Sequence, residues 1–253
     1  MKKLAGIVVF MVGLLLFYGV SNVDDFPGWG DPDSPANASP LSQYFITDTI
    51  KDSEVPNMVT AVLADYRGYD TMFETVVIFI AGIAIFAVVR VSRNNSPVCG
   101  GNKDDEPDLI ITTTCRLLVP VIQIFALYVL AHGHSSPGGG FQGGVIMGAS
   151  FILVAVAWDL DTALGRFSEK AAIACAGLGI IIYAGFGLAS MFYGEEFLNY
   201  GITHKLLPGV ESPEMARYYG MLGVEVGVMF TVTSVMFLIY GLLSTRGRMS
   251  GGL

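Results

Sequence analysis

Long uncharged apolar runs most constrain what this chain can fold into. About twenty helical residues cross the roughly 30 Å hydrocarbon core of a bilayer, so each such run is a candidate membrane span. The third run is short and contains Pro120, which leaves five spans as an alternative, but we expect six. The sequence therefore predicts an all-α polytopic transmembrane bundle. The six runs are Leu4–Val20, Met72–Val89, Leu117–Leu130, Gly143–Trp158, Ala171–Tyr193 and Met221–Leu243.

The composition agrees with a membrane protein and argues against several enzyme classes. Of the 253 residues, 53% are hydrophobic and only 14% are charged, whereas about a quarter are charged in a typical soluble domain. The sequence contains no P-loop or nucleophile elbow, and its three cysteines have no CxxC spacing. We expect a transport subunit rather than an enzyme, with no metal site, no cofactor bound by this chain and no nucleic-acid partner.

The basic residues predict the orientation in the membrane. Of the 14 Lys and Arg residues, ten fall in segments on the same side as the N terminus, and such segments are usually cytoplasmic. We therefore expect both termini to be cytoplasmic. Lys2, Lys3 and the small residues Gly19-Val20-Ser21 also resemble a signal peptide, but we interpret the first run as a retained membrane helix.

A polar segment divides the chain into two parts. Residues 92–108 are rich in Asn, Gly, Pro and Asp, which favour turns and irregular structure, and we expect a cytoplasmic linker there. The division leaves a two-helix part, residues 1–91, and a four-helix part, residues 109–253. Each part alone would leave helix faces uncovered, so we expect it to pack against other subunits as well as lipid.

Three groups of polar residues lie at the edges of the predicted spans. In the first, Asp70 and Glu74 stand four residues apart, on one helical face, and Arg67 can pair with either of them. An interfacial helix cap with a salt bridge is one interpretation, because acids favour helix N-termini. A carboxylate that relays a cation or a proton is the other, because an acid at membrane depth is costly.

The second group is a glycine-rich connection between the third and fourth spans. It begins with His132 and His134, whose spacing of two suits neither adjacent helical ligands nor a zinc site. Hydrogen bonds that anchor the loop are one interpretation of this pair, and proton exchange is the other. The residues that follow cannot continue a helix and predict a tight or re-entrant turn: Pro137, Gly138, Gly139 and Gly140.

The third group is a single acid inside the last span. Glu225 has only apolar neighbours and glycine within four residues on either side, so it is a candidate for the ion path. Arg116, at the start of the third span, is interpreted as an anchor at the cytoplasmic side, with pairing across helices as an alternative.

These motifs resemble a known family. The run from Arg116 to Pro120 and the string HGHSSPGGGFQGG at residues 132–144 are similar to the MnhB/MrpB family, the B-type component of the multisubunit cation/proton antiporters called Mrp. Glu225 falls where that family carries an acid in its last helix. The similarity covers roughly residues 109–245. Residues 59–74, VTAVLADYRGYDTMFE, resemble the last two-helix segment of the large A-type component. That segment is a separate small protein in Mrp-type membrane-bound hydrogenases.

The resemblance implies a multi-pass subunit, in the inner (cytoplasmic) membrane of a prokaryote, of an Mrp-type module that exchanges Na⁺, or another monovalent cation, for H⁺. Its partners would be the A, C, D and small Mrp subunits. The same subunit within a respiratory complex, with hydrogenase-like redox partners, is an alternative, as are a purely structural scaffold and a stand-alone channel. The candidates for the ion path are Asp70, Glu74, His132, His134 and Glu225.

Overall fold

The structure, a computed structural model, describes residues 2–21, 40–89, 109–205, 209–210, 212–245 and 247, with side chains from residue 6 onward. The predicted linker, residues 92–108, lies outside the described residues. The described part of the chain is helical and contains no β-strand. The prediction of an all-α membrane bundle is therefore confirmed.

Five of the helices are long and apolar enough to cross a membrane. They are α4 (Gly68–Val89), α5 (Leu109–Ala131), α6 (Gly140–Ala157), α8 (Glu169–Phe192) and α9 (Pro213–Ser244). The shorter helices of this part are α3 (Met58–Ala61), which continues into a π-helical turn at Val62–Tyr66, α7 (Leu160–Arg166) and a 3₁₀ segment at Tyr200–Lys205.

The chain divides into two compact units, Met1–Asp48 and Thr49–Leu253. The first unit contains α1 (Lys2–Ser21) and the beginning of α2 (Pro40–Ser53). The first predicted span coincides with α1, whose described apolar part, Gly6–Ser21, is shorter than the five long helices. Its side chains are exposed along the whole described length. An apolar helix of this kind is stabilised by lipid or by a partner rather than by its own unit.

In the second unit, α9 is the central helix. It packs against α4, α6 and α8, while α5 packs against α6. Ser212 begins α9 by accepting a hydrogen bond from the Met215 N–H at 3.1 Å, and Pro213 occupies the first helical position, which are both favourable choices for a helix start. Because α9 is surrounded on several sides, it is the most buried of the long helices.

Glycines allow α9 to approach its neighbours closely. A Cβ atom on Gly179 of α8 would lie 2.3 Å from the carbonyl oxygen of Gly227, and one on Gly227 would lie 2.6 Å from that of Gly179. In α6, a Cβ atom on Gly144 would lie 2.9 Å from Val232. Small residues at such crossings are typical of membrane helices, whose association depends on close packing. These glycines allow α6 and α8 to pack closely against α9.

Arg116, predicted as an anchor of the third span, and Pro120, predicted to interrupt that span, both lie on α5. Pro120 is inside this helix and exposed, and Arg116 is also exposed, one turn earlier. The missing N–H of a proline frees one backbone carbonyl, which membrane helices tolerate. The interpretation of Arg116 as a membrane anchor stays a prediction.

Candidate functional site

The glycine-rich loop between α5 and α6 encloses Glu225. A Cβ atom on Gly139 would lie 2.7 Å from Oε1 of Glu225, and one on Gly133 would lie 2.9 Å from its Oε2. At Gly140 the Cβ atom would lie 2.0 Å from the backbone carbonyl oxygen of Glu225. All three positions therefore require glycine, because any larger residue would collide with Glu225 or with the α9 backbone.

Backbone conformation adds a second reason for glycine in this loop. Gly138 and Gly139 have φ values of 157° and 134°, which residues with a side chain rarely adopt. Gly139 lies immediately before α6 and lets the chain turn sharply into that helix. Pro137, just before them, is exposed. The predicted turn therefore places Gly140, the first residue of α6, in contact with the backbone of α9.

Asn57 holds this loop from the other side. Its Nδ2 donates to the carbonyl oxygens of Gly133 at 2.9 Å and Ser136 at 3.0 Å, and its backbone N–H donates to the carbonyl oxygen of His134 at 2.9 Å. The hydroxyl of Thr60 donates to Gly133 as well, at 2.7 Å. Asn57 also caps α3 by accepting from the Val59 N–H. The segment before α4 is thus fastened to the loop that encloses Glu225.

The two histidines of the loop have different surroundings. His134 is 1% exposed, stacks against the ring of Tyr218 at 4.2 Å, and has Nε2 3.1 Å from the Tyr218 carbonyl oxygen. Because a carbonyl can only accept, Nε2 carries the proton, and Nδ1 has no hydrogen-bond partner among the described residues. Burial lowers the pKa of His134, and the bond to Tyr218 opposes this only in part.

His132, in contrast, is exposed and turned back onto its own helix. It stacks on Tyr128 at 4.0 Å, and its Nδ1 lies 3.0 Å from the Tyr128 carbonyl oxygen. The two predicted path residues His132 and His134 therefore do not form one site.

Glu225 and Glu74 line the same cavity, which has a volume of about 430 Å³. Glu225 is 8% exposed, and its Oε2 has no hydrogen-bond partner in the described part of the chain. Glu74 is an exposed residue of α4. Tyr183 of α8 and residues 137–140 of the loop also line the cavity, and its other polar lining residues are Asn57, Thr60, Thr71, Thr75 and Gln142. The remaining wall is largely apolar, so a charge on Glu225 would be poorly solvated.

Asp70 and Arg67 lie outside this cavity. Nε of Arg67 donates to Oδ2 of Asp70 at 2.7 Å, and both side chains are more than half exposed. An exposed pair of this kind adds at most about 1 kcal/mol to stability. Asp70 and Glu74 share a helix, but the structure places only Glu74 at the cavity with Glu225.

A second buried acid lies at the same end of the bundle. The side chain of Asp65 is 8% exposed, and its Oδ2 lies 3.5 Å from Nη1 of Arg217 on α9. Burial raises the pKa of Asp65; Arg217 lowers it, and Asp52 adds a further increase. Arg217 also donates to the backbone carbonyl oxygen of Asp52 at 3.4 Å. This ion pair connects the π-helical turn to α9.

The sequence did not predict the contributions of Asn57, Asp65, Tyr183 and Arg217. The Asx cap before α3 was a usable signal for Asn57, since asparagine followed by helix-forming residues is typical of a helix start. The pairing of Asp65 with Arg217 had no local signal. In the part of the chain that the structure describes, no group of three His, Cys, Asp or Glu side chains is placed to hold a metal ion.

Comparison with protein families identifies both parts of the chain. Residues 110–238 match the family described as a domain related to the MnhB subunit of the Na⁺/H⁺ antiporter, which is about half of the chain. Residues 34–101 match a second family, MbhE, described as the E-type component of MBH. The two matches adjoin at the segment predicted to be a linker.

Two curated relatives extend this result. The chain is 32% identical over 135 residues to the B-type component of the Na⁺/H⁺ antiporter of Bacillus subtilis, covering 52% of this chain and 94% of the relative. It is 26% identical over 190 residues to the A/B-type component of a probable K⁺/H⁺ antiporter of Rhizobium meliloti, covering 67% of this chain. The match spans only 19% of that longer relative.

Two solved structures share the fold. A chain of the Mrp complex from a Dietzia species has a TM-score of 0.70 and 25% identity, with 99% of this chain and 26% of that chain covered. A chain of the membrane-bound sulfane sulfur reductase, an archaeal respiratory membrane complex, has a TM-score of 0.65 and 24% identity. There 94% of this chain and 97% of that chain are covered. By its sequence over residues 110–238, this chain belongs to the family of domains related to the MnhB subunit of the Na⁺/H⁺ antiporter.

Proposed function

We propose that this chain is a membrane subunit of a multisubunit Mrp-type module that exchanges Na⁺, or another monovalent cation, for H⁺. One observation carries the proposal: the buried carboxylate of Glu225, which shares a cavity with Glu74 and has an oxygen without a partner among the described residues. Ionisable groups at membrane depth are costly, and they usually mark an ion pathway.

A carboxylate in such a cavity suits the exchange of a cation for a proton. In its charged form Glu225 lacks a paired cation in the described residues and would favour a monovalent cation beside it, because a buried charge is stabilised only by a partner. In its protonated form it needs no cation. The two occupants therefore exclude each other, and this competition is what antiport requires.

The surroundings keep Glu225 in place while its occupant changes. Gly133, Gly139 and Gly140 approach it from the loop, and Asn57 fixes that loop through two side-chain hydrogen bonds. Glu74 offers a second carboxylate in the same cavity, at an exposed position on α4 where a partner protein can reach it. We propose that Glu225 and Glu74 take part in the ion path and that the loop positions Glu225.

The test is cation/proton exchange by the complete complex with Glu225→Gln. The glutamine keeps the shape and removes the exchangeable charge. The matched control is Glu54→Gln, which alters an exposed acid that lines neither the Glu225 cavity nor the cavity of Asp65. In inverted membrane vesicles, cation-dependent proton release should fall by about tenfold or more in Glu225→Gln and by less than about twofold in the control.

Assembly is followed on a native gel in the same membranes. An assembled complex in which Glu225→Gln exchanges at the control rate would remove Glu225 from the path. Loss of the complex in Glu225→Gln but not in Glu54→Gln would assign a structural role to Glu225 and leave Glu74 as the path candidate, to be tested in the same way.

A second candidate is the same role in a redox-driven respiratory complex. The match of residues 34–101 to the MbhE family favours it. The host complex is distinguished by the proteins that purify with the tagged chain. Hydrophilic iron–sulfur proteins would support the respiratory complex, whereas Mrp-type membrane proteins without redox partners would support the secondary antiporter.

A further inference from the structure

Two buried tyrosines connect the Glu225 cavity with the region of Asp65. Tyr183 of α8 lines the cavity, is 0% exposed, and donates its hydroxyl to the Gly68 carbonyl oxygen at 2.8 Å. Tyr200 of the 3₁₀ segment is also 0% exposed. A Cβ atom on Gly68 would lie 3.3 Å from the Tyr200 hydroxyl oxygen and 3.8 Å from that of Tyr183. Both hydroxyls therefore converge on the first residue of α4.

The Tyr200 hydroxyl is buried without a satisfied hydrogen bond. It is close enough to Tyr183 to interact with it, but no contact in the described part of the chain has ordinary hydrogen-bond geometry. Leaving a buried hydroxyl in this condition is destabilising. Phenylalanine would fill the same space without that cost. The hydroxyl at this position thus calls for a role other than packing.

Asp65 continues the same row of polar groups toward the surface. Oδ2 of Asp65 also lacks a hydrogen bond among the described residues. Asp65 and Gly68, the residue on which both tyrosine hydroxyls converge, line a separate cavity of about 290 Å³ together with Arg217 and the exposed Glu196. Polar groups therefore follow one another from Glu225 through the two tyrosines to a surface cavity, inside a cluster that is otherwise apolar.

We propose that Tyr183 and Tyr200 form a proton relay between the Glu225 cavity and Asp65. The proposal rests on the proposed function and adds to it a route by which protons reach the cavity from the surface. It assigns the tyrosine hydroxyls to proton transfer and leaves the cation to enter the cavity elsewhere.

Each transfer in the relay breaks one O–H bond and forms one. Protonated Asp65 gives its proton, through water in the cavity that it shares with Gly68, to the Tyr200 oxygen, and Tyr200 gives its own hydroxyl proton to Tyr183. Tyr183 turns from the Gly68 carbonyl and passes its proton, through water in the cavity, to the Glu225 carboxylate. The cavity of about 430 Å³ has room for such water, which takes about 30 Å³ per molecule in the liquid. Rotation of both tyrosine hydroxyls then returns their O–H bonds to the starting orientations.

Burial raises the pKa of the Tyr200 phenol, so the phenol stays protonated at physiological pH. It can therefore act only by accepting one proton while donating another. Burial also raises the pKa of Asp65, which brings this carboxyl nearer to the range in which it can hold and release a proton. Arg217, 3.5 Å away, limits that increase.

The experiment compares Tyr183→Phe, Tyr200→Phe and the double variant in the complete complex. Phenylalanine keeps the ring in its packed position and removes only the hydroxyl. Tyr240→Phe, at the opposite end of α9, is the matched control. Cation-driven proton movement in membrane vesicles gives the maximal rate and the cation concentration at half-maximal rate, and a native gel reports assembly.

The relay predicts that each single variant lowers the maximal rate about tenfold, with the half-maximal cation concentration changed less than about twofold. Because the two hydroxyls act in series, the double variant should be no slower than the slower single variant. Independent structural effects would instead multiply. The control should retain its rate.

Three results would overturn the relay. One is an unchanged rate in both single variants, and another is a multiplied loss in the double variant. The third is loss of assembly in both single variants, which would make the hydroxyls structural. Failure of the relay is distinguishable from failure of the proposed function, because Glu225→Gln would still abolish exchange if only the relay were wrong.

Discussion

Replacing Gly140 by alanine should separate α6 from α9 at the site. The added Cβ atom would lie 2.0 Å from the carbonyl oxygen, 2.7 Å from the carbonyl carbon and 2.9 Å from the Cα atom of Glu225. Non-bonded carbon atoms pack at about 3.5–4.0 Å, so the two backbones would have to move apart by roughly 1 Å or more.

The expected cost follows from what the new methyl group meets. Overpacking a well-packed interior costs typically about 1–3 kcal/mol, partly because side chains can change rotamer. Here the colliding atoms belong to the backbone of α9, which has no rotamer to change. We therefore expect a loss at the upper end, about 3 kcal/mol, and a displaced Glu225 in whatever protein still folds.

The assay is thermal unfolding of the purified protein in detergent, followed by size exclusion, for Gly140→Ala and for Gly177→Ala. A Cβ atom on Gly177 of α8 meets nothing within 4 Å, and alanine at a helical glycine gains up to about 1 kcal/mol. The control should therefore be as stable as the parent protein or slightly more stable. Equal melting temperatures for the two variants would refute the close contact between α6 and α9.

Three further predictions concern the groups around the site. Asn57→Ala should lose about 3 kcal/mol, because it removes a helix cap and leaves loop carbonyls without donors. Asn57→Asp keeps the cap but cannot donate, and it sets a carboxylate oxygen against the carbonyl oxygens of Gly133 and Ser136, so it should be no more stable than Asn57→Ala; a parent-like melting temperature of Asn57→Asp would contradict this. Arg217→Ala should be destabilising by about 3 kcal/mol at pH 8 and by less at pH 5, because Asp65 without its partner is tolerated only when protonated; a pH-independent loss would count against the ion pair. Because burial lowers the pKa of His134, the unfolded chain binds more protons than the folded chain below pH 6.5, so the free energy of unfolding should fall as the pH drops through that value. In thermal melts between pH 5 and pH 8, His134→Gln should show a weaker dependence of melting temperature on pH, and an unchanged dependence would contradict this prediction.

The spans could be predicted from the sequence because the bilayer imposes a length and an apolar composition on each of them. Residues 72–89 and 171–193, predicted as spans, fall within or close to α4 and α8. The boundaries differ at the ends that lie among polar side chains: α9 begins at Pro213, eight residues before the predicted start at Met221. Its first two turns contain Glu214 and Arg217, which an apolar-run criterion rejects, although Ser212 caps the helix.

The residues that form the site could be predicted from the sequence only in part. The glycines after Pro137 indicated a non-helical turn, because glycine and proline end helices wherever they cluster. Nothing local indicated that this turn encloses Glu225, about ninety residues later in the chain. The same holds for Asp65: Arg67 lies two residues away and Arg217 far along the chain, yet the latter is the partner. Such pairs are set by how helices cross, which periodicity does not encode.

The division of the chain at residues 92–108 stays a prediction, and so does the cytoplasmic location of both termini. The two families adjoin at that division, while Asn57 on one side and Gly133 on the other are hydrogen-bonded. The two parts are therefore in contact at the site whatever the path of the connecting segment.

The most direct test of the central claim is purification of the tagged chain from its native membrane, with identification of every copurifying protein and reconstitution into proteoliposomes. The account predicts an assembly with other Mrp-type membrane proteins, which exchanges a monovalent cation for protons and loses this exchange in Glu225→Gln. A chain that purifies alone and exchanges cations without partners would contradict it.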